Sequence, residues 1–250
     1  MKVISQQYED FVKRDFERYV SWHRRVLSAP PEQYQVLRDK ITQAVDVESN
    51  LSVLNLCAGN GSLISYLNQS FPHWNYVGTD TVKELIEDES TDQVKQENVQ
   101  LLASSIEEIE KQWSNQFDIV IHGMRLLHFE NWKAHIQAAV KATKKGGHII
   151  ISSLFNDFDV DLLTLICDYN IPACCEGYCL QYNTFSTAEV TRYCHSLDLK
   201  DISFTPFEIS FDIPRKNNGV GSYTVRTKEG KRLTISAGLL MQWQILHIVV

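Results

Sequence analysis

Apolar positions in the first fifty residues recur every three or four places. Tyr8, Phe11, Val12, Phe16, Tyr19 and Val20 predict a helix over 5–27. Pro30 and Pro31 stop it. Tyr34, Leu37, Ile41 and Ala44 share one face of a second helix, over 32–45. From residue 51 the pattern changes. Continuous apolar runs predict strands at 51–56, 74–79, 99–102, 117–121 and 148–152. The stretches between them predict helices at 62–69, 81–88, 105–113 and 131–144, the last closed by Gly146-Gly147. Such alternation implies a mainly parallel sheet covered on both faces, with right-handed crossovers.

Beyond residue 153 the alternation loosens. Ser186 with Glu189 three places on is a capping-box signature for a helix over 186–198. A strand is predicted over 202–211. Asn217-Asn218-Gly219 and Glu229-Gly230 are turn signals, and Tyr223–Val225 with Arg232–Ile235 flank the second as a hairpin. Leu239–Val250 reads as a final strand. The expected fold is α/β: a Rossmann-like, doubly wound, mainly parallel seven-stranded sheet with antiparallel C-terminal edge strands, N-terminal helices and a small cap or hairpin.

Composition narrows the classes. The 250 residues are 44% hydrophobic and 22% charged, with net charge −7, a globular balance. An acidic isoelectric point near 5.6 and the lack of a Lys/Arg block argue against a nucleic-acid partner. No apolar run reaches membrane-spanning length, and the charged N-terminus lacks the apolar core of a signal peptide. A cytoplasmic chain with no membrane partner is expected. Its six cysteines then read as reduced thiols. Cys174-Cys175-x-x-x-Cys179 does not match paired C-x-x-C zinc spacing, so no metal is expected.

The chemistry concentrates at 53–64, Val-Leu-Asn-Leu-Cys-Ala-Gly-Asn-Gly-Ser-Leu-Ile. A glycine turn after a first strand lets backbone approach a ligand, and the following helix N-terminus offers N–H donors. Asp80 ends the next strand, where a carboxylate suits the two hydroxyls of a ribose. A dinucleotide site wants Gly or Ala where Ile64 stands, and no Gly-Lys-Ser/Thr phosphate loop occurs. What remains is an adenosine ligand without a pyrophosphate.

Residues 51–153 resemble the core of the class I S-adenosylmethionine-dependent methyltransferases, of the bacterial small-molecule type. Asn55-Leu56-Cys57-Ala58-Gly59-Asn60-Gly61 corresponds to the family's first motif, and Asp80 to the acidic residue after the second strand. Ser104-Ser105-Ile106 falls where the family has Gly-Asp-Ala beside the adenine. Leu127-His128-Phe129 resembles Leu-His-His-Leu, and Lys144-Lys145-Gly146-Gly147 the Leu-Lys-Pro-Gly-Gly turn. The sequence departs at Asn55, Cys57 and Ser105, each replacing an acidic residue or a glycine. The resemblance implies S-adenosylmethionine as cofactor, with S-adenosylhomocysteine as product. It places Asn55, Cys57, Ala58, Gly59, Gly61, Asp80, Thr81, Ser105, Ile106 and His122 around it. It also implies one domain over 1–250: a helical lid at 1–46, a cofactor core at 47–153, and a substrate cap with C-terminal strands at 154–250.

The sulfonium already activates the methyl group, so the protein must align an acceptor and exclude water. A base is optional. His122, at the end of the fourth strand, and His128 are the candidates; a strand cap and a packing histidine are the bland alternatives. Arg125 can pair with an acidic substrate or the cofactor carboxylate. Tyr8, Tyr19 and Trp22 of the lid, with Asn156 and Tyr178 of the cap, are candidate substrate contacts. The fourth strand ends His122-Gly123-Met124-Arg125, not the Asn/Asp-Pro-Pro-Tyr of base-amino methyltransferases. The expected partner is a small-molecule acceptor, for a monomer or homodimer. A non-catalytic cofactor-binding or assembly protein, or a protein or nucleic-acid methyltransferase, is the alternative reading.

Overall fold

A computed structural model describes residues 8–10, 12–13, 16–170, 181–216 and 218–250. Seven strands lie side by side in the order β3-β2-β1-β4-β5-β11-β7. They are β1 (Ser52–Leu56), β2 (Asn75–Asp80), β3 (Val99–Ala103), β4 (Phe117–Gly123), β5 (Thr143–Asn156), β7 (Asp201–Pro206) and β11 (Trp243–Val249). The two-residue β6 (Phe185–Ser186) is attached to β5. β1 to β5 pair in parallel. β11 runs antiparallel to both β5 and β7, so the expected antiparallel edge is present.

Alternate residues of each strand feed opposite faces. Leu54, Leu56, Val120, Ile149 and Ile151 pack with Ile109, Trp132, Ile136 and Val190. These come from α5 (Ile106–Gln112), α6 (Trp132–Ala142) and α7 (Thr187–Ser196). Val53, Ile119, Ile121 and Ile150 pack on the other face with Val26, Leu37, Ile41 and Leu67. Those belong to α1 (Phe16–Ser28), α2 (Glu32–Ala44) and α3 (Ser62–Ser70). Both faces being covered explains why the central strands read as continuous apolar runs.

Several boundaries differ from the sequence expectation. Residues 81–88 contain only the single turn α4 (Lys83–Ile86), followed by a 3-10 segment at Glu89–Gln93. α6 stops at Ala142, and Gly146-Gly147 lie inside the 14-residue β5. There the pairing with β4 jumps from Phe117↔Thr143 to Ile119↔His148, so the glycines serve a bulge rather than a helix cap. The strand expected over 202–211 ends at Pro206. The final strand splits at Met241-Gln242. Its first part, β10 (Leu239–Leu240), joins β8 (Ser222–Arg226) and β9 (Arg232–Ser236) in a separate three-stranded sheet. The predicted hairpin is therefore part of a larger unit. No helix among the described residues is long and apolar enough to cross a membrane.

Candidate functional site

Strand order reverses at β1, with β2 on one side and β4 on the other. In such sheets ligands bind beyond the carboxyl ends at this point. Leu56 is in register with Thr79 and with His122, so the segments after β1, β2 and β4 leave the sheet at one level. The turn after β1 is tightly wound, with φ of 53° at Cys57, 58° at Gly59 and 80° at Gly61. Ala58 N–H donates to the Thr79 carbonyl at 2.7 Å, and Gly61 N–H to the Ala58 carbonyl at 3.0 Å.

Asp80 braces this turn. It is 1% exposed, and its Oδ2 accepts from Gly59 N–H at 2.8 Å. Oδ1 accepts from Val82 N–H at 2.9 Å. Burial raises its carboxyl above the usual range, opposed by these two donors and by the Arg125 charge. Each oxygen retains a second lone pair for a ligand hydroxyl.

Beside it lies a cleft lined by Cys57, Thr79, Thr81, Ser104, Ile106 and His135 among others. Thr79 Oγ1 and Thr81 Oγ1, in its lining, and His122 Nδ1, on the ring that meets His135, are buried without a hydrogen-bond partner; Asn55 Oδ1 is unpartnered too, on the other face of β1. An unmet buried polar atom costs about 1–3 kcal/mol, so the gathering of the first three marks a place where ligand atoms complete the bonding. Ser105 caps a helix. Its Oγ accepts from Glu108 N–H at 3.3 Å, and Glu108 Oε2 accepts from Ser105 N–H at 2.8 Å. The hydroxyl expected beside an adenine is engaged as the N-cap of α5.

His122 is buried, with Nε2 3.1 Å from His135 Nδ1. Burial, then the His135 and Arg125 charges, hold His122 well below the usual imidazole range, and burial lowers His135 to about 3. The Cys57 thiol joins them, with the three donor atoms within 4.8 Å of one another. A thiol and two imidazoles form a donor set suited to a zinc-like cation, where the sequence reading expected no metal site. Burial pushes the thiol up, toward its neutral form. Cys57, Cys167 and Cys194 are free thiols. Cys174, Cys175, Cys179 and the candidate contact Tyr178 lie outside the described residues.

His128 Nδ1–H donates to the Gln181 carbonyl at 2.9 Å, which leaves Nε2 as the lone-pair nitrogen. Its ring stacks on Tyr8 with centroids 6.1 Å apart. Burial, then the Arg125 charge, lowers its pKa to about 3.

The N-terminal segment packs over this end of the sheet, where Tyr8, Val12 and Val20 share a cluster with Val82, Leu85 and Phe129. Tyr8 and Tyr19 share a hydroxyl hydrogen bond of 2.8 Å. The Arg125 guanidinium sits 5.3 Å from the Tyr19 ring and 4.8 Å from the Trp22 ring. Its Nη2 donates to His23 Nε2 at 3.0 Å. His23 therefore carries its proton on Nδ1 and donates to Asn60 Oδ1 at 3.1 Å. Asn60 Nδ2 donates to Ser90 Oγ at 3.1 Å, and Ser90 donates to Asp88, which also pairs with Arg24 of α1 at 2.7 Å. A Cβ on Gly59 would stand 2.1 Å from His23 Cε1, so only glycine admits the imidazole over the turn. The Asn156 side chain holds the adjoining loop through the Val160 carbonyl and Phe158 N–H. Sequence reasoning missed His23, Asn60 and His135. The i, i+4 pairing of Tyr19 with His23 was the available signal for the first.

A family model described as a methyltransferase domain matches residues 47–195. No curated protein matches the chain by sequence. Among solved structures, the YcgJ protein of Bacillus subtilis is similar at TM-score 0.56 and 13% identity, covering 86% of this chain and 98% of that one. A Haloferax volcanii methyltransferase in complex with the Trm112 activator gives 0.57 at 12% identity, covering 99% and 97%. The O-methyltransferase of a Brevibacillus brevis trans-AT polyketide synthase, solved with S-adenosylhomocysteine, gives 0.53 at 14%, covering 79% and 61%. With the family model spanning more than half of its length, the chain belongs to the methyltransferase-domain family of class I S-adenosylmethionine-dependent enzymes.

Proposed function

We propose that this enzyme transfers a methyl group from S-adenosylmethionine to a small-molecule acceptor held under the lid. The observation that carries the reading is Asp80: a buried carboxylate at the switch point, braced against the glycine turn and flanked by unpartnered buried hydroxyls. These residues fit a nucleoside. Asp80 would take the ribose hydroxyls, and the cleft between Thr81 and Ile106 the base. The turn from Cys57 to Gly61 would face the amino-acid end. The cofactor, when bound, supplies a methyl already activated on a sulfonium.

The chain's own residues then orient and enclose. Tyr8, Tyr19 and Trp22 close the top of the site and exclude water, which makes alignment effective. A base with a pKa near 3 is a weak proton acceptor at neutral pH. His128 is thus better suited to orienting an acceptor, through its fixed tautomer, than to full deprotonation. His122 lies behind it, bonded to His135, and supports the floor. The acidic chain favours a small acceptor over a nucleic acid.

Calorimetric titration with S-adenosylmethionine and S-adenosylhomocysteine tests the cofactor site, comparing wild type with Asp80→Ala and Asp80→Asn. Micromolar binding that weakens at least about 10-fold in both folded variants is expected, since a hydrogen bond to a charged group is worth about 1.5–3 kcal/mol. Silence toward both nucleosides in folded wild type would overturn the reading. Methyl transfer from labelled donor to a panel of small amines, phenols and acids then tests the acceptor class.

A further inference from the structure

Cys57 stands where the family's first motif has its first glycine, and its backbone holds a φ of 53°. In that left-handed region a side chain carries a steric cost that glycine is spared. The thiol so placed meets two histidines from other elements. His122 comes from the end of β4 and His135 from α6, and one donor atom of each of the three residues lies within 4.8 Å of the others. His122 Nε2 stands 3.1 Å from His135 Nδ1. Two nitrogens at that spacing match neighbouring corners of a tetrahedron around an ion with bonds of about 2.0–2.3 Å.

Hydrogen bonding within the fold leaves the cluster incomplete. The two imidazoles share one proton across their contact, and His122 Nδ1, on a ring that is 1% exposed, has no partner. An unmet buried nitrogen is destabilising, and an ion offers that ring a bond the fold does not. Burial holds both rings neutral, so their lone pairs are available to a metal. The Asp80 and Arg125 charges bear on the thiol with opposite signs, the carboxylate more strongly, so the neighbourhood favours a cation. The Phe129 ring packs against both histidines, with centroids 4.3 Å from His135 and 6.3 Å from His122. Such an apolar wall limits the access of water to a metal site.

The donor set selects the class of ion. One thiolate with two imidazoles suits zinc or cobalt and does not suit magnesium or calcium, which take oxygen ligands. Three protein ligands leave a fourth position open. Cys57 and His135 also line the cleft. We propose that Cys57, His122 and His135 form a binding site for a zinc-class divalent cation, with its fourth position turned to the cleft for water or a small-molecule donor. On binding, the ion gains one bond from the Cys57 sulfur and one from a nitrogen of each imidazole. The thiol proton leaves to water, and the proton shared between the rings moves to a nitrogen that does not ligate. The ion needs no nucleoside to bind.

The experiment strips the purified protein with a chelator. It then titrates the protein with zinc against a chromophoric competitor, and with cobalt followed by absorbance. One zinc per chain at micromolar or tighter affinity is expected, together with a thiolate-to-cobalt charge-transfer band and the intense visible bands of a tetrahedral site. Cys57→Ser should abolish the charge-transfer band. His122→Gln and His135→Gln should each weaken zinc at least about 10-fold, in proteins that melting curves show to be folded. Should Cys57→Ser fail to fold, the variant Cys167→Ser/Cys174→Ser/Cys175→Ser/Cys179→Ser keeps Cys57 and the core thiol Cys194, and must retain the band. Wild type that binds no zinc, or binds cobalt without the charge-transfer band, overturns the proposal. So does a band that survives Cys57→Ser or vanishes from the folded quadruple variant, since the thiolate then lies elsewhere. Because the probe is the metal alone, a protein that takes up zinc but neither nucleoside would sink the cofactor reading and leave this site standing.

Discussion

Ile64 stands where a dinucleotide site needs a small residue, and its room is made on the neighbouring strand. A Cβ on Gly78 of β2 would lie 2.7 Å from Ile64 Cδ1 and 2.7 Å from Leu101 Cδ2. Gly78→Ala should therefore cost about 1–3 kcal/mol, as overpacking does in a closed core. For a chain of this length the melting temperature should fall by roughly 3–10 °C. A variant that melts within a degree of wild type would show that Ile64 and Leu101 give way freely. Asp80 was legible in the sequence because its place is set by chain spacing along one strand–turn–helix–strand unit. His23 and His135 were not. Each reaches the site from a helix packed over it, and only through-space geometry brings His23 to Gly59 or His135 to His122.

Elements were readable where a long periodic segment met a clear boundary, and misread where a short local contact overrode the pattern. The stretch after β2 looked helical. Asp80 instead spends a carboxylate oxygen on Val82 N–H, so α4 starts late and lasts one turn. The last strand looked continuous. The left-handed pair Ala237-Gly238 folds β10 back onto β9, with φ of 49° and 79°. Helix α5 gives the sharpest test at this scale, because the family resemblance and the capping geometry assign Ser105 different tasks. If the hydroxyl only caps α5, Ser105→Ala should cost about 1 kcal/mol of stability and leave S-adenosylhomocysteine affinity unchanged. A tenfold loss of affinity at unchanged melting temperature would return Ser105 to the adenine. Glu108→Ala, which removes the reciprocal half of the box, should match Ser105→Ala in stability alone.

For the molecule as a whole, the site is a store of buried neutral imidazoles. His23, His122, His128 and His135 are each held below the usual range, in every case chiefly by burial, and His128 and His135 reach about 3. The unfolded chain takes up protons on these residues as pH falls through about 6.5, whereas the folded chain does not until near pH 3 at His128 and His135. Stability is thus fully present above pH 6.5 and declines as pH drops. At pH 5 the loss is about 2 kcal/mol for each of His128 and His135, from roughly 1.4 kcal/mol per pH unit. Asp80 works in the opposite sense, since its raised pKa lets the folded state bind a proton first. Two such histidines alone remove a large part of a typical folding free energy of about 5–15 kcal/mol. Urea unfolding at pH 7.5 and pH 5.0 should show a fall of at least about 4 kcal/mol, with unchanged dependence on denaturant. His135→Gln should reduce the fall by about one histidine's share, even if the variant is less stable at pH 7.5. A midpoint that does not move between the two pH values would mean that these imidazoles are hydrated or already charged in the folded protein. The enclosed floor beneath the cleft would then have to be abandoned along with the tight packing of the N-terminal segment above it.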